Sequence, residues 1–141
     1  MGPFLSVTIN NTMDTLSTYV NKAEETIRSN DFDSWVVSLG KAFKVTPNLR
    51  EEKRCGCGCD MHVWVRGFKG SDGTWIFEGD SDTLFNRGLT KIVLDSFTGL
   101  SSTQALGYNF HNFKPIARGI NFHQRRGVQC IINQIHKIVN A

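Results

Sequence analysis

Apolar residues recur at helical spacing in three stretches of the chain. From Thr12 to Ser29, and again after Asp31 or Asp33, they are three and four positions apart, which is the period of one helix face. The C-terminal stretch shows the same spacing. We therefore expect helices over 12–29, from about Asp31 to before Pro47, and at the C-terminus. The inward positions are Met13, Leu16, Tyr19, Val20, Ala23 and Ile27, then Trp35, Val36, Leu39 and Phe43, then Val128, Ile131, Ile132, Ile135, Ile138 and Val139.

The middle of the chain alternates between large apolar and polar residues. His62–Phe68 and Trp75–Gly79 flank a turn rich in glycine and aspartate, Lys69–Gly73. This pattern predicts a β-hairpin, with Trp64 and Trp75 in the core. Residues 48–61 have no period and are expected to form a loop.

Two more helices are expected after the hairpin. Asp80-Ser81-Asp82 offers caps for a helix that Gly99 ends, and Ser101 or Ser102 caps a short helix closed by Gly107. The first of these helices carries Leu84, Leu89, Ile92, Val93 and Phe97. Together the elements predict an α+β fold in which helices pack on a small antiparallel sheet.

Length and composition indicate one folded domain over residues 1–141, with residues 1–12 flexible. The chain has 141 residues, of which 40% are hydrophobic and 11% aromatic, which excludes a disordered chain. No apolar run is long enough to cross a membrane, and no secretory signal is expected from the first residues.

The net charge is +3, from 16 basic and 13 acidic residues, which is too small to indicate nucleic-acid binding. Residues 53–141 hold 11 of the basic and only 6 of the acidic residues. This basic part is either a solvated surface or a docking surface for an acidic protein partner.

Three of the four cysteines alternate with glycine: Cys55, Cys57 and Cys59. Cys130 stands alone and is expected to be a thiol without function. A secreted disulfide scaffold spreads its cysteines, so this clustering favours a reducing, intracellular compartment. Lys53 and Arg54 favour the reactive thiolate, and Asp60 opposes it.

Three functions could use the cysteine cluster. One is sulfur transfer by a mobile cysteine. Another is a metal or cluster site formed by Cys55, Cys57, Cys59 and His62, although zinc sites usually space their cysteines more widely. The third is a thiol–disulfide redox module with a Cys57–Cys59 disulfide.

Several motifs in order resemble the SufE family of sulfur acceptors. They are Gly58-Cys59-Asp60-Met61-His62-Val63-Trp64-Val65, Gly79-Asp80-Ser81-Asp82 and Arg87-Gly88-Leu89, within a resemblance that covers about residues 30–139. The resemblance implies a two-layer fold similar to the IscU scaffold. It also implies a persulfide carrier that activates a cysteine desulfurase, rather than a stand-alone enzyme.

The resemblance further implies site residues and partners. Cys59 corresponds to the persulfide acceptor, supported by Gly58, Asp60, His62 and Asp82, while Cys55 and Cys57 are candidates for relay or redox roles. The expected partners are a SufS-like desulfurase and a SufB-like iron–sulfur scaffold, with no cofactor, nucleic acid or membrane. The expected location is the cytoplasm of a bacterium, or a plastid or other organelle of a eukaryote.

The chain departs from the family pattern at a few positions. Met61 and His62 replace the usual serine and glutamine. In the later His-Leu-Thr-Pro-Ser-Arg-x-x-Gly motif, Gly127 is kept, while Gly119 and Gln124 stand at the histidine and arginine positions. Arg125 or Arg126 are the candidates to replace that arginine.

Overall fold

The computed structural model describes residues 2–44, 48–51 and 61–141. These residues form six helices and one two-stranded antiparallel sheet, which confirms the predicted α+β class. The elements are α1 (Gly2–Arg28), α2 (Phe32–Ala42), β1 (Val63–Lys69), β2 (Trp75–Ser81), α3 (Leu84–Phe97), α4 (Ser102–Gly107), α5 (Lys114–Ala117) and α6 (Phe122–Asn140), with 3₁₀ turns at Leu49–Glu51 and Phe110–Phe113.

The long periodic stretches became helices as predicted, and only the start of the first one differs. α1 begins at Gly2, well before the predicted start at Thr12; the flexibility of residues 1–12 stays a prediction. α2 follows Asp31 and ends at Ala42, before Pro47. The short α5 and both 3₁₀ turns were not predicted, because segments of about one turn show no apolar period.

The hairpin pairs Val63 with Ser81 at its open end and Lys69 with Trp75 near its turn. On the inner face, Val63, Trp75 and Phe77 are buried against the helices. The outer face is covered only near the open end, where Trp64 and Asp80 are opposite each other and buried. The covered part of the outer face therefore lies at the open end of the hairpin, next to the Val63–Ser81 pair.

The expected cap of α3 was wrong. Asp80 and Ser81 belong to β2, and the N-cap of α3 is Thr83, whose hydroxyl accepts a hydrogen bond from the backbone N–H of Asn86 at 3.0 Å. Ser101 caps α4 as predicted, in a capping box with Gln104. Asp80 and Ser81 are thus free of a capping role.

α2 and α3 cross at very short distance through two glycines. A Cβ at Gly40 would overlap the Leu84 carbonyl, and a Cβ at Gly88 would overlap the Val36 carbonyl. Glycine is required at both positions because each helix presents backbone, rather than side chains, to the other. The crossing fixes where α3 begins relative to α2.

Phe97 lies at the centre of the core and is fully buried. Its ring stacks on Phe113 and makes edge contacts with Phe77, Tyr108 and His136. This cluster joins β2, α3 and α6 in one core.

None of the helices, over the residues described, is long and apolar enough to span a bilayer.

Candidate functional site

The cysteine cluster lies in residues 52–60, outside the described residues. Five of the predicted site residues fall there: Cys55, Cys57, Gly58, Cys59 and Asp60. The described residues on either side are the 3₁₀ turn Leu49–Glu51 before the segment, and Met61 and His62 after it. The geometry of the site is therefore that of its two flanks.

Asp80 is the buried charge nearest to these flanks, with 1% of the residue exposed. Its carboxylate accepts from Arg50 Nε at 2.5 Å and from Arg87 Nε at 2.9 Å. It also accepts from the backbone N–H of Ser81 at 2.7 Å. A buried carboxylate is stable only when paired in this way. We call Arg50, Asp80, Ser81 and Arg87 the Asp80 cluster.

Both flanks of the cysteine segment are tied to the Asp80 cluster. On the upstream side, Arg50 donates to Asp80 and, through Nη2, to the Ser81 carbonyl at 2.6 Å. On the downstream side, the Ser81 hydroxyl donates to the His62 carbonyl at 2.6 Å. Two neighbouring residues at the end of β2 thus hold the chain just before and just after residues 52–60.

Arg50 also covers Trp64. Its guanidinium lies 4.8 Å from the centre of the Trp64 ring, a cation–π distance. The hydrogen bond with Asp80 is the main reason that the pKa of Arg50 is raised above its usual value. The guanidinium therefore keeps its positive charge and covers the outer face of the hairpin at Trp64.

His62 and Asp82, both predicted to support the cysteine segment, lie side by side. His62 Nδ1 is 3.7 Å from Asp82 Oδ2, and both side chains are partly exposed. Asp82 Oδ1 in turn accepts from Asn86 Nδ2 at 3.2 Å, which connects the pair to the first turn of α3. The structure thus brings these two predicted residues together at the downstream flank.

Met61, the other downstream residue, packs against α6. It is buried, and a Cβ at Gly127 would overlap its sulfur. Gly127, which matches the glycine of the C-terminal SufE-like motif, therefore makes room for Met61, two positions after Cys59. This contact places the downstream flank directly on α6.

Cys130 lies one helical turn after Gly127 and differs from its expected role. It is buried in α6 and is disulfide-bonded rather than a thiol. It is the only cysteine among the described residues.

The start of α6 carries the residues considered as replacements for the family's arginine. Gln124 completes a capping box with Asn121. Arg125 donates to the Ile120 carbonyl at 2.7 Å, and Arg126 lies over the exposed ring of Phe122. Arg125 thus has a local structural contact, and Arg126 lies on the surface.

No group of three or more potential metal ligands occurs within the part of the chain that the structure describes. Three of the four predicted metal ligands, Cys55, Cys57 and Cys59, lie outside it. His136 has a structural role, since its Nε2 lies 2.7 Å from the Tyr108 carbonyl.

The Asp80 cluster was not predicted from the sequence. Asp80 and Arg87 belong to the motifs quoted above and Arg50 to the expected loop 48–61, but their pairing joins residues that are 30 and 7 positions apart. An acid near the end of a strand and an arginine directly before a helix glycine give no periodic signal. The burial of Asp80 and its position opposite Trp64 mark the cluster, and both are visible only in the structure.

Comparison with known proteins agrees with the motifs. Residues 18–139 match the sequence model of the SufE family, described as an Fe–S metabolism associated domain. The chain is also 32% identical, over 113 residues, to an uncharacterised SufE-like protein of Rhizobium etli. That alignment covers 73% of this chain and 74% of the relative.

Proposed function

The chain belongs to the SufE family, and from this premise we propose that Cys59 accepts persulfide sulfur from a cysteine desulfurase and passes it to an iron–sulfur scaffold. Family membership supports the broader role in iron–sulfur metabolism and sulfur transfer. The acceptor residue, the partners and the steps below are the proposal.

The observation that carries the proposal is the attachment of both flanks to Asp80 and Ser81. Arg50 and His62 are held on adjacent residues of β2, so the described residues on both sides of 52–60 are held by one strand. A site held by a strand is more precise than one held by loops. A carrier cysteine requires this, because its sulfur must meet two different proteins in turn.

The chemistry is thiol–persulfide exchange. The Cys59 thiolate attacks the terminal sulfur of the desulfurase persulfide, and the sulfur–sulfur bond of the donor breaks. The donor cysteine leaves as a thiolate, and Cys59 then carries the transferred sulfur. No external oxidant or reductant is needed, since the sulfane sulfur keeps its oxidation state.

In this proposal the described side chains hold the flanks of the cysteine segment and take no part in the exchange. Asp82 and His62 hold the downstream flank at the start of α3, and Met61 holds it on α6. Docking on the desulfurase uses the basic part of the chain, residues 53–141. Arg126 is exposed there, next to the glycine that contacts Met61. In this role the protein is an intracellular activator and carrier for a SufS-like enzyme and a SufB-like scaffold.

The proposal is tested by incubating the chain with a cysteine desulfurase and cysteine. Peptide mass spectrometry under non-reducing conditions should find one added sulfur on the peptide that holds Cys59. The Cys59→Ser variant should lose this sulfur and the stimulation of the desulfurase, because serine is not a nucleophile of comparable strength.

Cys55→Ser and Cys57→Ser are matched controls in the same segment and should both keep the added sulfur on Cys59. An unmodified Cys59 with bound zinc or iron would favour the metal site formed by Cys55, Cys57, Cys59 and His62. A Cys57–Cys59 disulfide, formed without any dependence on the desulfurase, would favour the redox module.

A further inference from the structure

Phe122 is the most exposed large apolar residue among those that the structure describes. It is the first residue of α6, and 59% of it is exposed. It lies outside the hydrophobic core cluster of the described residues. Phe122 therefore adds little to the core, and its apolar surface is open to contact with another molecule.

Two further exposed side chains border the ring of Phe122. The guanidinium of Arg126, one turn along the same face of the helix, lies 5.8 Å from the ring centre, within the range of a cation–π contact. The ring centre of His123 lies 5.7 Å away in an edge contact. We call Phe122, His123 and Arg126 the α6 patch. The α6 patch thus combines apolar surface with positive charge.

The first turn of α6 holds the α6 patch in a fixed position. Asn121 and Gln124 exchange hydrogen bonds between backbone and side chain at 2.9 and 2.8 Å, which caps the helix. Arg125 is tied to the Ile120 carbonyl, so Arg126 is the exposed arginine of this turn. A surface that is ordered before binding loses less conformational entropy when a partner binds.

The charge of the C-terminal third favours an acidic partner. Residues 96–141 contain five Lys or Arg and no Asp or Glu. Glu24 of α1 reaches this region from another element, and its carboxylate lies 4.0 Å from the exposed Arg118. The region as a whole complements a negative surface. Lipid and nucleic-acid surfaces are bound by denser basic clusters, which favours a protein as the partner.

An exposed pair of the same kind lies on the hairpin, where its charge is balanced. Phe68 is 50% exposed, and the guanidinium of Arg66 lies 5.4 Å from its ring centre. Arg66, however, pairs with Glu78 at 3.0 Å. Aromatic residues and arginine dominate the binding energy of protein interfaces. Of the two pairs, the one on α6 joins these residue types to a surface of unbalanced positive charge.

We propose that the α6 patch is the contact through which this chain docks on an acidic surface of a cysteine desulfurase. Phe122 enters an apolar pocket of the partner, and Arg126 pairs with a carboxylate at the edge of that pocket. This inference rests on the proposed function, which requires such docking. The α6 patch lies at the same end of α6 as Gly127, which contacts Met61. Docking there brings the partner to the end of α6 that receives the downstream flank.

Docking is measured as the Kd of the full chain for a SufS-like cysteine desulfurase, by calorimetric titration without cysteine, so that no sulfur is transferred. Phe122→Ala should weaken binding by about thirtyfold, as expected for an aromatic anchor. Phe68→Ala is the matched control, since it removes an equally large exposed ring, and it should bind like the wild type. Arg126→Ala should weaken binding and make the Kd less sensitive to salt.

Phe122→Glu separates docking from folding. A carboxylate in the first turn favours the helix, so this variant should be at least as stable as Phe122→Ala to urea. It should nevertheless bind more weakly than Phe122→Ala, because it places a negative charge against an acidic surface.

Equal Kd values for the wild type, Phe122→Ala and Phe122→Glu would overturn the inference and leave persulfide transfer to Cys59 intact. No binding of the wild-type chain would overturn it as well. A chain that binds through Phe122 but gains no sulfur on Cys59 when cysteine is added would contradict the proposed function alone. An unchanged Kd for the desulfurase, with loss of binding to vesicles of anionic phospholipid in Phe122→Ala, would assign the α6 patch to a membrane surface instead.

Discussion

At the scale of single residues, Asp80 has a role that its motif did not predict. The run Asp80-Ser81-Asp82 suggests helix caps, since short polar residues before a helix usually cap it. In the structure Thr83 caps α3, and Asp80 and Ser81 hold the flanks of the cysteine segment. The sequence could predict that these residues matter, but not which bonds they make, because their partner Arg50 is 30 positions away.

Arg50→Ala is expected to slow the loading of Cys59 by roughly tenfold to hundredfold, since small displacements of a reacting group have effects of this size. The free energy of unfolding should fall by only about 1 kcal/mol, because the guanidinium is half exposed and Asp80 keeps Arg87. Loading is measured as the single-turnover rate of persulfide formation, and stability by urea unfolding.

Lys22→Ala is the control for Arg50→Ala. The two side chains are equally exposed, at 47%, and Lys22 Nζ lies 3.5 Å from Glu25 Oε1 on α1. Its loss should lower stability by at most about 0.5 kcal/mol and leave loading unchanged. Arg50→Lys should restore loading only in part, because an ammonium lacks the guanidinium fork. Equal loading defects in both alanine variants would show that the effect is not specific to Arg50.

At the scale of elements, the apolar period identified the long helices and the alternation identified the hairpin. What the sequence could not predict is how closely the elements approach. Gly88, part of the family-like Arg87-Gly88-Leu89, lets the backbone of α3 touch that of α2 at Val36. A helix-interior glycine gives no signal of its partner, and α5 is too short to show any period.

Gly88→Ala is expected to lower the free energy of unfolding by about 1–3 kcal/mol, as for other overpacked core sites. The added Cβ would overlap the Val36 carbonyl, which is backbone and cannot rotate away. Gly107→Ala is the control, because nothing lies within 4 Å of its Cβ; it should be neutral or slightly stabilising. Thermal and urea unfolding measure both, and an equally harmless Gly88→Ala would show that the α2–α3 crossing can widen freely.

At the scale of the whole molecule, the order of motifs predicted the family, while the position of the site depends on contacts between distant elements. The flanks of the cysteine segment meet β2 through Arg50 and His62, and α6 through Met61. α1 is joined to the rest in the same manner: the Tyr19 hydroxyl donates to Asp95 of α3 at 2.6 Å. Such contacts follow from packing, which local pattern does not encode.

The Tyr19–Asp95 contact makes the stability of the whole fold depend on alkaline pH. Burial, and then the hydrogen bond and charge of Asp95, raise the pKa of Tyr19 above its usual value of 10.0. Above about pH 10 the unfolded chain loses this proton and the native chain keeps it, so unfolding becomes more favourable as the pH rises. The stability that Tyr19 adds is therefore full below pH 10 and is lost above it.

Tyr19→Phe should lower the free energy of unfolding by about 1 kcal/mol at pH 8, where it removes one hydrogen bond. Between pH 10 and 11 the wild-type chain should lose this advantage, and its stability should approach that of the variant. Urea unfolding at half-unit steps from pH 8 to 11 measures the difference. Tyr108→Phe is the comparison, because burial alone raises the pKa of Tyr108 and the same sign of pH dependence is expected there without an acidic partner. A difference between wild type and Tyr19→Phe that stays constant over this range would mean that Tyr19 ionises as readily in the folded chain as in the unfolded one, and that α1 is not held by a protonated phenol.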